Sequence, residues 1–346
     1  MSLRLSRVLP VITAIALSAS VALSAHQAKN VPQEPNWPRE AERPDAPKPK
    51  PATSTLVPFL GEYEGPARPD GSTPKLILLE QDGALMMTLD RGPVVAPGKM
   101  GVIMGGDRVV VAVLMDGVRY PRKEMGPGAS GQLKVVPIRP VADVLAESRT
   151  VTPPVETGDF LASDLVELAL LDRTIRLDIR YATTNNFLGS VFYSQARAFL
   201  QRPAADAVLR VQQKLKPLGY GLLVHDGYRP WSVTRTFWEC TPLEKKWLVA
   251  NPASGSKHNR GAAVDLTLYD LKTGAVIDMP STYDESTSRA YAFYPGGTSL
   301  QRWHRALLRR MMEAEGFTVN PDEWWHFDYG DWKRYRIGNV PFEAIR

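Results

Sequence analysis

Two Asp-Gly pairs limit what the first half of the chain can form: Asp82-Gly83 and Asp116-Gly117 each separate two apolar runs. Asp-Gly between apolar runs favours a tight hairpin, because a type I′ turn needs positive φ at both central residues. The stretches KLILLEQDGALMMTLD and VVVAVLMDGVRY therefore predict antiparallel hairpins. GQLKVVPIRP, residues 131–140, predicts a further strand.

These strands predict a small antiparallel all-β domain over residues 58–148, either an open barrel or a sandwich. Its sequence contains no histidine, and its acidic residues are scattered among the turns. Catalysis is therefore not expected in this part of the chain. A structural role is favoured over a binding, spacing or lid role.

The chain begins with a basic heptapeptide, MSLRLSR, followed by an apolar run rich in small residues that ends at Ala25. This layout predicts a secretory signal peptide over residues 1–25. An uncleaved membrane anchor is the alternative, because the run is nearly long enough to cross a bilayer. Its Ala and Ser content and the polar HQAKN that follows favour cleavage. We therefore expect export to the periplasm or cell envelope, without stable membrane insertion after cleavage.

Residues 26–57 contain seven prolines between Pro32 and Pro51 and predict an extended linker. Residues 149–159 predict a second linker. The chain has one cysteine, so it can form no intramolecular disulfide, and cysteines cannot supply a zinc site. The formal charge of +5 is too small and too dispersed to indicate nucleic-acid binding.

Residues 160–346 mix helical and strand-like patterns. AADAVLRVQQKLKPLG and RWHRALLRRMMEAEGF have apolar residues at helical spacing, which predicts two helices. Gly219 and Gly316 mark their predicted C-terminal ends. RLDIRYATTNN and YGLLVHDGYRP read as strands that run into turns. The irregular alternation predicts an α+β domain, a mixed or antiparallel sheet flanked by helices, rather than a doubly wound sheet.

Two histidines and one aspartate could form a metal site in this domain. His258 lies seven residues before Asp265 in SKHNRGAAVDLTL, and His326 lies three residues after Glu323 in EWWHF. Two imidazoles and one carboxylate suit catalytic zinc with an open position for water, and Glu323 could act as general base. Residues three apart on an ideal strand face opposite sides, so Glu323 and His326 can share a site only at a turn or bulge. The alternative is a glycine-rich turn before a buried strand, with Trp324 and Trp325 in the core.

Arg229 in DGYRP places a cation after a strand, where it could hold a carboxylate or a developing oxyanion. A surface ion pair is the alternative. Of the other histidines, His225 could contact and orient residues of a site without binding the metal or substrate itself. His304 is expected at the surface or with its hydrogen-bonding groups satisfied.

Four stretches, DIRYATTNNFLG, DGYRP, SKHNRGAAVDLTL and EWWHF, resemble in this order the D-alanyl-D-alanine dipeptidase family of zinc peptidases. DMPSTYDESTSRAY resembles the family segment between the metal-binding motifs. The likeness covers residues 160–346 and implies one zinc ion per catalytic domain. It makes His258, Asp265 and His326 the zinc ligands, Glu323 the catalytic base and Arg229 the group that binds the oxyanion.

The resemblance also implies that Ser256 and Tyr181 contact the substrate and that Asp284 pairs with its ammonium group. Asn259 and the MPST sequence depart mildly from the family pattern, which leaves fine specificity open. The implied function is an exported zinc dipeptidase acting on D-Ala-D-Ala or a close dipeptide, in cell-wall turnover or scavenging. Peptidoglycan fragments are possible partners. The alternatives are a D,D-carboxypeptidase acting on peptidoglycan stem peptides and a non-catalytic cell-wall binding module.

Overall fold

The computed structural model describes residues 47–106, 109–123 and 133–345. The predicted signal peptide and most of the first linker lie outside these residues. None of the helices within the described ranges is long and apolar enough to cross a membrane.

Residues 59–123, which we term the β-region, contain two three-stranded antiparallel sheets. Asp82 and Asp116 have φ values of 51° and 49°, and the glycine after each also has positive φ, so both predicted hairpins are confirmed. One apolar cluster, including Tyr63, Leu76 and Val113, draws residues from both sheets. The strands are β1 Gly61–Glu64, β2 Lys75–Gln81, β3 Ala84–Leu89, β4 Met100–Met104, β5 Val110–Met115 and β6 Val118–Pro121.

The segment after the β-region differs from its prediction. The described part of GQLKVVPIRP is not a strand, because its backbone donors bond to two separate parts of the chain instead of to one neighbouring strand. Val135 N–H donates to Phe187 O in a loop at 2.8 Å, and Ile138 N–H donates to Cys240 O at the end of a helix at 2.9 Å. Pro140 then begins an unpredicted helix, α1 Val141–Thr150. This helix is short, and its buried face contains only four residues, so its periodic signal is weak.

The remaining residues form a mixed α+β fold, as predicted. Its main sheet has the strand order β12-β13-β11-β10-β8, antiparallel except where β8 runs parallel to β10. β7 and β9 form a separate antiparallel pair. The elements are β7 Leu165–Glu167, α2 Leu168–Leu171, β8 Arg176–Leu177, β9 Phe199–Gln201, α3 Arg202–Leu215, β10 Tyr220–Asp226, α4 Trp231–Cys240, β11 Ala263–Asp270, α5 Ser299–Glu313, β12 Phe317–Asn320 and β13 Glu323–Tyr329.

The sheet core explains why β10 and β11 read as continuous apolar runs. Every residue of β10 is buried, and so is every residue of β11 except Asp270. Helices α3 and α5 contact each other and the two strands, while α1 packs against α4. Helix α5 begins with a capping box formed by Thr298 and Gln301. The boundaries 58–148, 149–159 and 160–346 remain predictions about domain organisation.

Candidate metal centre and active site

The centre of the site is a row of three side chains across neighbouring strands. Asp265 of β11 pairs directly with Asp226 of β10 on one side and with His326 of β13 on the other. Directly paired residues on neighbouring strands hold their Cβ atoms about 5 Å apart, so this register alone brings the groups together. His258 joins them from the short 3₁₀ turn His258–Arg260, which precedes β11.

His258, Asp265 and His326 offer ligand atoms that all lie within 4.8 Å of one another. His258 Nε2 lies 3.2 Å from His326 Nδ1, and Asp265 Oδ1 lies 2.9 Å from that same nitrogen. Burial would raise the pKa of Asp265, but the two imidazoles hold it well below its usual range. The three residues predicted as ligands therefore converge on one point with a donor set that fits a metal ion.

The outer nitrogens of both imidazoles have partners of their own. His258 Nδ1 lies 2.7 Å from Gly227 O, and His326 Nε2 lies 3.0 Å from Asp328 Oδ1. Such outer contacts fix the ring orientation and select the nitrogen that faces a metal. Asp328 was not predicted from its sequence, although its position two residues after His326 places it on the same face of β13.

Lys257 Nζ bonds to the Asp328 carboxylate, so this acid is itself held in place. Burial raises and His326 lowers the pKa of Asp328, and the net effect is a pKa below the usual value. Asp328 is therefore an ionised acceptor that holds His326 from behind.

Glu323 reaches His326 because the backbone departs from ideal strand geometry. In the β12–β13 pair, Val319 faces Phe327 while the next residue, Asn320, faces Glu323, so the residues between bulge out of register. This bulge brings Glu323 Oε2 to 3.7 Å from His326 Nδ1. Glu323 and His326 can therefore share one site, because a bulge lies between them. Burial raises the pKa of Glu323, with Asp265 adding to the rise and His326 opposing it.

Arg229 forms a buried ion pair with Asp226 rather than a surface one. Its Nε and Nη2 donate to Asp226 Oδ2 at 2.9 and 2.8 Å, and Tyr193 Oη donates to the other carboxylate oxygen at 2.8 Å. The guanidinium lies 5.1 Å from the centre of the Tyr181 ring and 5.0 Å from that of Phe237. Burial lowers the pKa of Arg229, but Asp226 raises it well above the usual value, so the cation is permanent.

A chain of aromatic residues lies behind Asp265. Tyr283 Oη donates to Asp265 Oδ2 at 3.1 Å, and its ring centre lies 4.6 Å from that of His225. Tyr181 Oη lies 3.4 Å from Tyr283 Oη. Tyr283 was not predicted, and only its position beside Asp284 in the sequence could have pointed to it. His225 supports the site through Tyr283, whereas His304 is buried elsewhere with Nε2 2.9 Å from Tyr220 Oη.

Asp284 carries a carboxylate oxygen, Oδ2, that is shielded from solvent and has no hydrogen-bond partner among the residues that the structure describes. Burial, together with the carboxylates of Asp265 and Glu323, raises its pKa well above the usual range. A buried acceptor without a donor lowers the free energy of unfolding, and a cationic ligand with N–H groups would supply the missing donor. This oxygen therefore suits a cationic ligand. Ser256 lies beside the His258 turn, where its Oγ accepts from Asn259 N–H at 3.2 Å.

The comparison with known families decides what kind of protein carries this site. The profile of the D-ala-D-ala dipeptidase family matches residues 162–338. This chain belongs to the D-ala-D-ala dipeptidase family. The match contains all five stretches on which the resemblance was based, and it begins after the β-region.

Three related family members show how the similarity is distributed, and all three are D-alanyl-D-alanine dipeptidases. The protein from Escherichia coli is 32% identical over 166 residues, covering 48% of this chain and 84% of the relative. The protein from Enterococcus faecalis is 35% identical over 171 residues, covering 44% and 85%. The protein from Streptomyces coelicolor is 33% identical over 189 residues, covering 49% and 91%.

Replacement of Asp328 tests how the candidate metal centre is supported. Asp328→Ala removes the acceptor behind His326 and is expected to lower Zn²⁺ affinity by about 10- to 100-fold, the usual effect of losing such a partner. Competition with a chromophoric chelator measures the affinity. Asp331→Ala, at an exposed acid just after β13, is the matched control. Equal affinity in both variants would show that Asp328 does not support the ligand.

Proposed function

We propose that the chain is an exported zinc-dependent dipeptidase that hydrolyses D-Ala-D-Ala or a close dipeptide. The observation that carries this proposal is the convergence of a His-Asp-His group, a nearby Glu323 and the unpaired carboxylate oxygen of Asp284 in one site. Membership of a dipeptidase family, with relatives named for D-Ala-D-Ala, supports the choice of substrate.

The donor set supports zinc, one ion per site, held by His258, Asp265 and His326. Magnesium and calcium prefer all-oxygen ligands, whereas two imidazoles with one carboxylate are typical of catalytic zinc. Bound there, zinc would lower the pKa of a water molecule and polarise the scissile carbonyl.

Glu323 is placed to move the protons of the reaction. Its carboxylate takes a proton from the attacking water and then gives it to the nitrogen of the leaving amino acid. The position of Glu323 suits this shuttle, because its Oε2 lies 3.7 Å from His326 Nδ1, next to the candidate ligand group.

Arg229 stabilises the negative charge that develops on the carbonyl oxygen. Two of its three nitrogens are held by Asp226, which fixes the plane of the guanidinium. Its third nitrogen, Nη1, makes no hydrogen bond within the described part of the chain and is left for the substrate. A donor whose position is fixed before the reaction stabilises the transition state without reorganising.

Asp284 supports a dipeptidase over a D,D-carboxypeptidase. A dipeptide has a free ammonium group next to the scissile bond, whereas the corresponding nitrogen of a peptidoglycan stem peptide is an uncharged amide. An unpaired buried carboxylate oxygen favours the ammonium. The presence of Glu323 and Arg229 speaks against a non-catalytic cell-wall binding module, since a binder needs neither a base nor an oxyanion donor.

Substitution of the base tests the reaction. Glu323→Gln keeps the shape of the side chain but cannot accept the proton, so kcat on D-Ala-D-Ala with Zn²⁺ is expected to fall by about 10²- to 10⁴-fold. The Zn²⁺ content should stay unchanged, as measured by mass spectrometry of the metal. Glu244→Gln, at an exposed glutamate, is the control. Wild-type-like turnover in Glu323→Gln, or a wild-type protein that neither binds Zn²⁺ nor gains activity from it, would overturn the proposal.

Substitution of Asp284 tests recognition of the free amine. Asp284→Asn removes the charge that faces the ammonium and is expected to raise KM for D-Ala-D-Ala by about tenfold or more, since charged hydrogen bonds contribute about 1.5–3 kcal/mol. Hydrolysis of N-acetyl-D-Ala-D-Ala should not fall in parallel. Asp278→Asn, in the same segment but exposed, is the control. A wild-type protein that prefers the N-acetylated substrate would favour the D,D-carboxypeptidase instead.

Export rests on the sequence of residues 1–25 and places the enzyme where dipeptides from cell-wall turnover or external sources occur. When the full-length chain is expressed in a bacterium with a C-terminal tag, it is expected in the envelope fraction with a new N-terminus close to His26. Fractionation and N-terminal mass mapping measure both properties. Recovery of the intact chain in the cytoplasm would contradict export, and recovery of the intact chain in the membrane would indicate an anchor.

A further inference from the structure

The residue proposed to bind the ammonium lies on a long segment between β11 and α5. We term residues 277–298 the site segment. It contains Tyr283, which donates to Asp265, and Asp284, whose φ of 57° lies in the left-handed region. A residue other than glycine keeps this backbone conformation only where the surrounding structure holds its backbone in place. The position of Asp284 therefore depends on what the site segment packs against.

The β-region holds the end of the site segment. Glu80 of β2 is 1% exposed, and its Oε2 accepts the backbone N–H of Ser299, the first residue of α5, at 2.7 Å. The carboxylate lies at the N-terminus of α5, where its negative charge interacts favourably with the positive end of the helix dipole. The backbone adds two contacts: Glu80 N–H donates to Gly297 O at 3.1 Å, and Arg302 Nη2 donates to Glu80 O at 2.8 Å.

The β-region also contacts the middle of the site segment. Ser288 Oγ donates to the Glu62 carboxylate of β1, which is 7% exposed. Ile77 of β2 packs against Tyr294, and both side chains are almost fully buried. These contacts place a polar pair and an apolar pair between Asp284 and the start of α5.

The chain that leaves the β-region contacts Asp284 itself. We term Leu133 and Lys134 the exit chain. Leu133 N–H donates to Asp284 O at 3.0 Å, so the backbone of Asp284 is hydrogen-bonded to the exit chain. Lys134 Nζ donates to Asn186 O at 3.0 Å and holds the exit chain against the catalytic part of the molecule. The exit chain thus contacts the site segment at Asp284, and the β-region contacts it at Ser288, Tyr294 and Gly297.

We propose that the β-region is a positioning element for the amine subsite, and that Glu80 and Glu62 act through the site segment to hold Asp284 where the substrate ammonium binds. This inference rests on the proposed dipeptidase function and extends it, because it assigns selectivity for a free N-terminus partly to residues outside the family match. Glu80 and Glu62 are positioning residues and do not touch the substrate.

The catalytic part holds the same segment independently, so loss of one β-region contact should loosen the segment without unfolding the protein. Trp324 Nε1 donates to Ser281 Oγ at 2.8 Å, and Ala292 N–H donates to Pro321 O at 2.9 Å. The metal ligands and Glu323 lie on β11, β13 and the His258 turn rather than on the site segment. Loosening should therefore affect binding of the amine more than the chemical step.

Glu80→Gln tests this inference in the full chain. The two carboxylate oxygens of Glu80 accept hydrogen bonds from the backbone N–H groups of Ser299 and Gly83. In Glu80→Gln the side-chain NH₂ group replaces one of these oxygens and would face an N–H donor. Glu64→Gln is the matched control, because Glu64 lies on β1 with its side chain 37% exposed, and its ion pair among the described residues is with Lys123 rather than with the site segment. Ser288→Ala, which removes the hydroxyl bonded to Glu62, is the second variant and serves if Glu80→Gln does not fold.

Two measurements are compared in each variant. Hydrogen–deuterium exchange should increase in residues 277–298 of Glu80→Gln and Ser288→Ala, while Glu64→Gln matches wild type. With Zn²⁺, KM for D-Ala-D-Ala should rise about three- to tenfold with kcat within twofold, and the preference over N-acetyl-D-Ala-D-Ala should shrink by the same factor. A merely structural defect would lower kcat with the amount of folded enzyme and leave both KM and this preference unchanged.

The outcomes separate this inference from the proposed function. An active wild-type enzyme whose Glu80→Gln and Ser288→Ala variants keep the wild-type KM and preference would overturn the inference alone. So would variants that lose only kcat. A zinc-loaded wild-type protein without dipeptidase activity would overturn both.

Discussion

Asp265 is the residue on which the site depends, because it is a buried carboxylate shared by every other part of it. It lies between Asp226 and His326 in the strand register, contacts both imidazoles and accepts from Tyr283. A buried charge is stable only when it is paired and hydrogen-bonded. His326 on β13, His258 on the turn before β11 and Tyr283 on the segment after β11 supply those partners, so the core sheet and the segments next to it assemble the candidate metal ligands.

The sequence identifies the reactive groups better than it identifies the groups that hold them. His258, Asp265, His326, Glu323 and Arg229 stand in short motifs, and side-chain type together with spacing limits their chemistry. Whether Glu323 could reach His326 depended on an irregular register between β12 and β13, which spacing cannot reveal. Tyr283 and Asp328 were missed because a tyrosine or an aspartate acting through hydrogen bonds has no spacing signature of its own.

The β-hairpins were predictable for a local reason, whereas the chain that follows them was not. An Asp-Gly turn is decided by two residues and their φ angles, and both turns formed as expected. The strand predicted at 131–140 was wrong in its described part, because the backbone N–H groups of Val135 and Ile138 donate to a distant loop and to the end of a distant helix. Apolar residues in a row show that a segment is buried, but long-range contacts decide whether it joins a sheet.

The charges of the site are consistent with the proposed binding of both a metal ion and an ammonium group. Arg229 is paired with Asp226, so it compensates the remaining acids only in part: its charge lowers the pKa of Asp284 without offsetting the rise caused by burial. Asp284 and Glu323 have raised pKa values because both are partly desolvated in the site and both lie near Asp265. Further positive charge would relieve this repulsion and lower both pKa values. A divalent ion at the His-Asp-His group would favour the carboxylate form of Glu323, and an ammonium at Asp284 would favour the carboxylate form of that residue. A substrate without the ammonium would leave Asp284 uncompensated, so the electrostatics that favour the metal also favour a free amine.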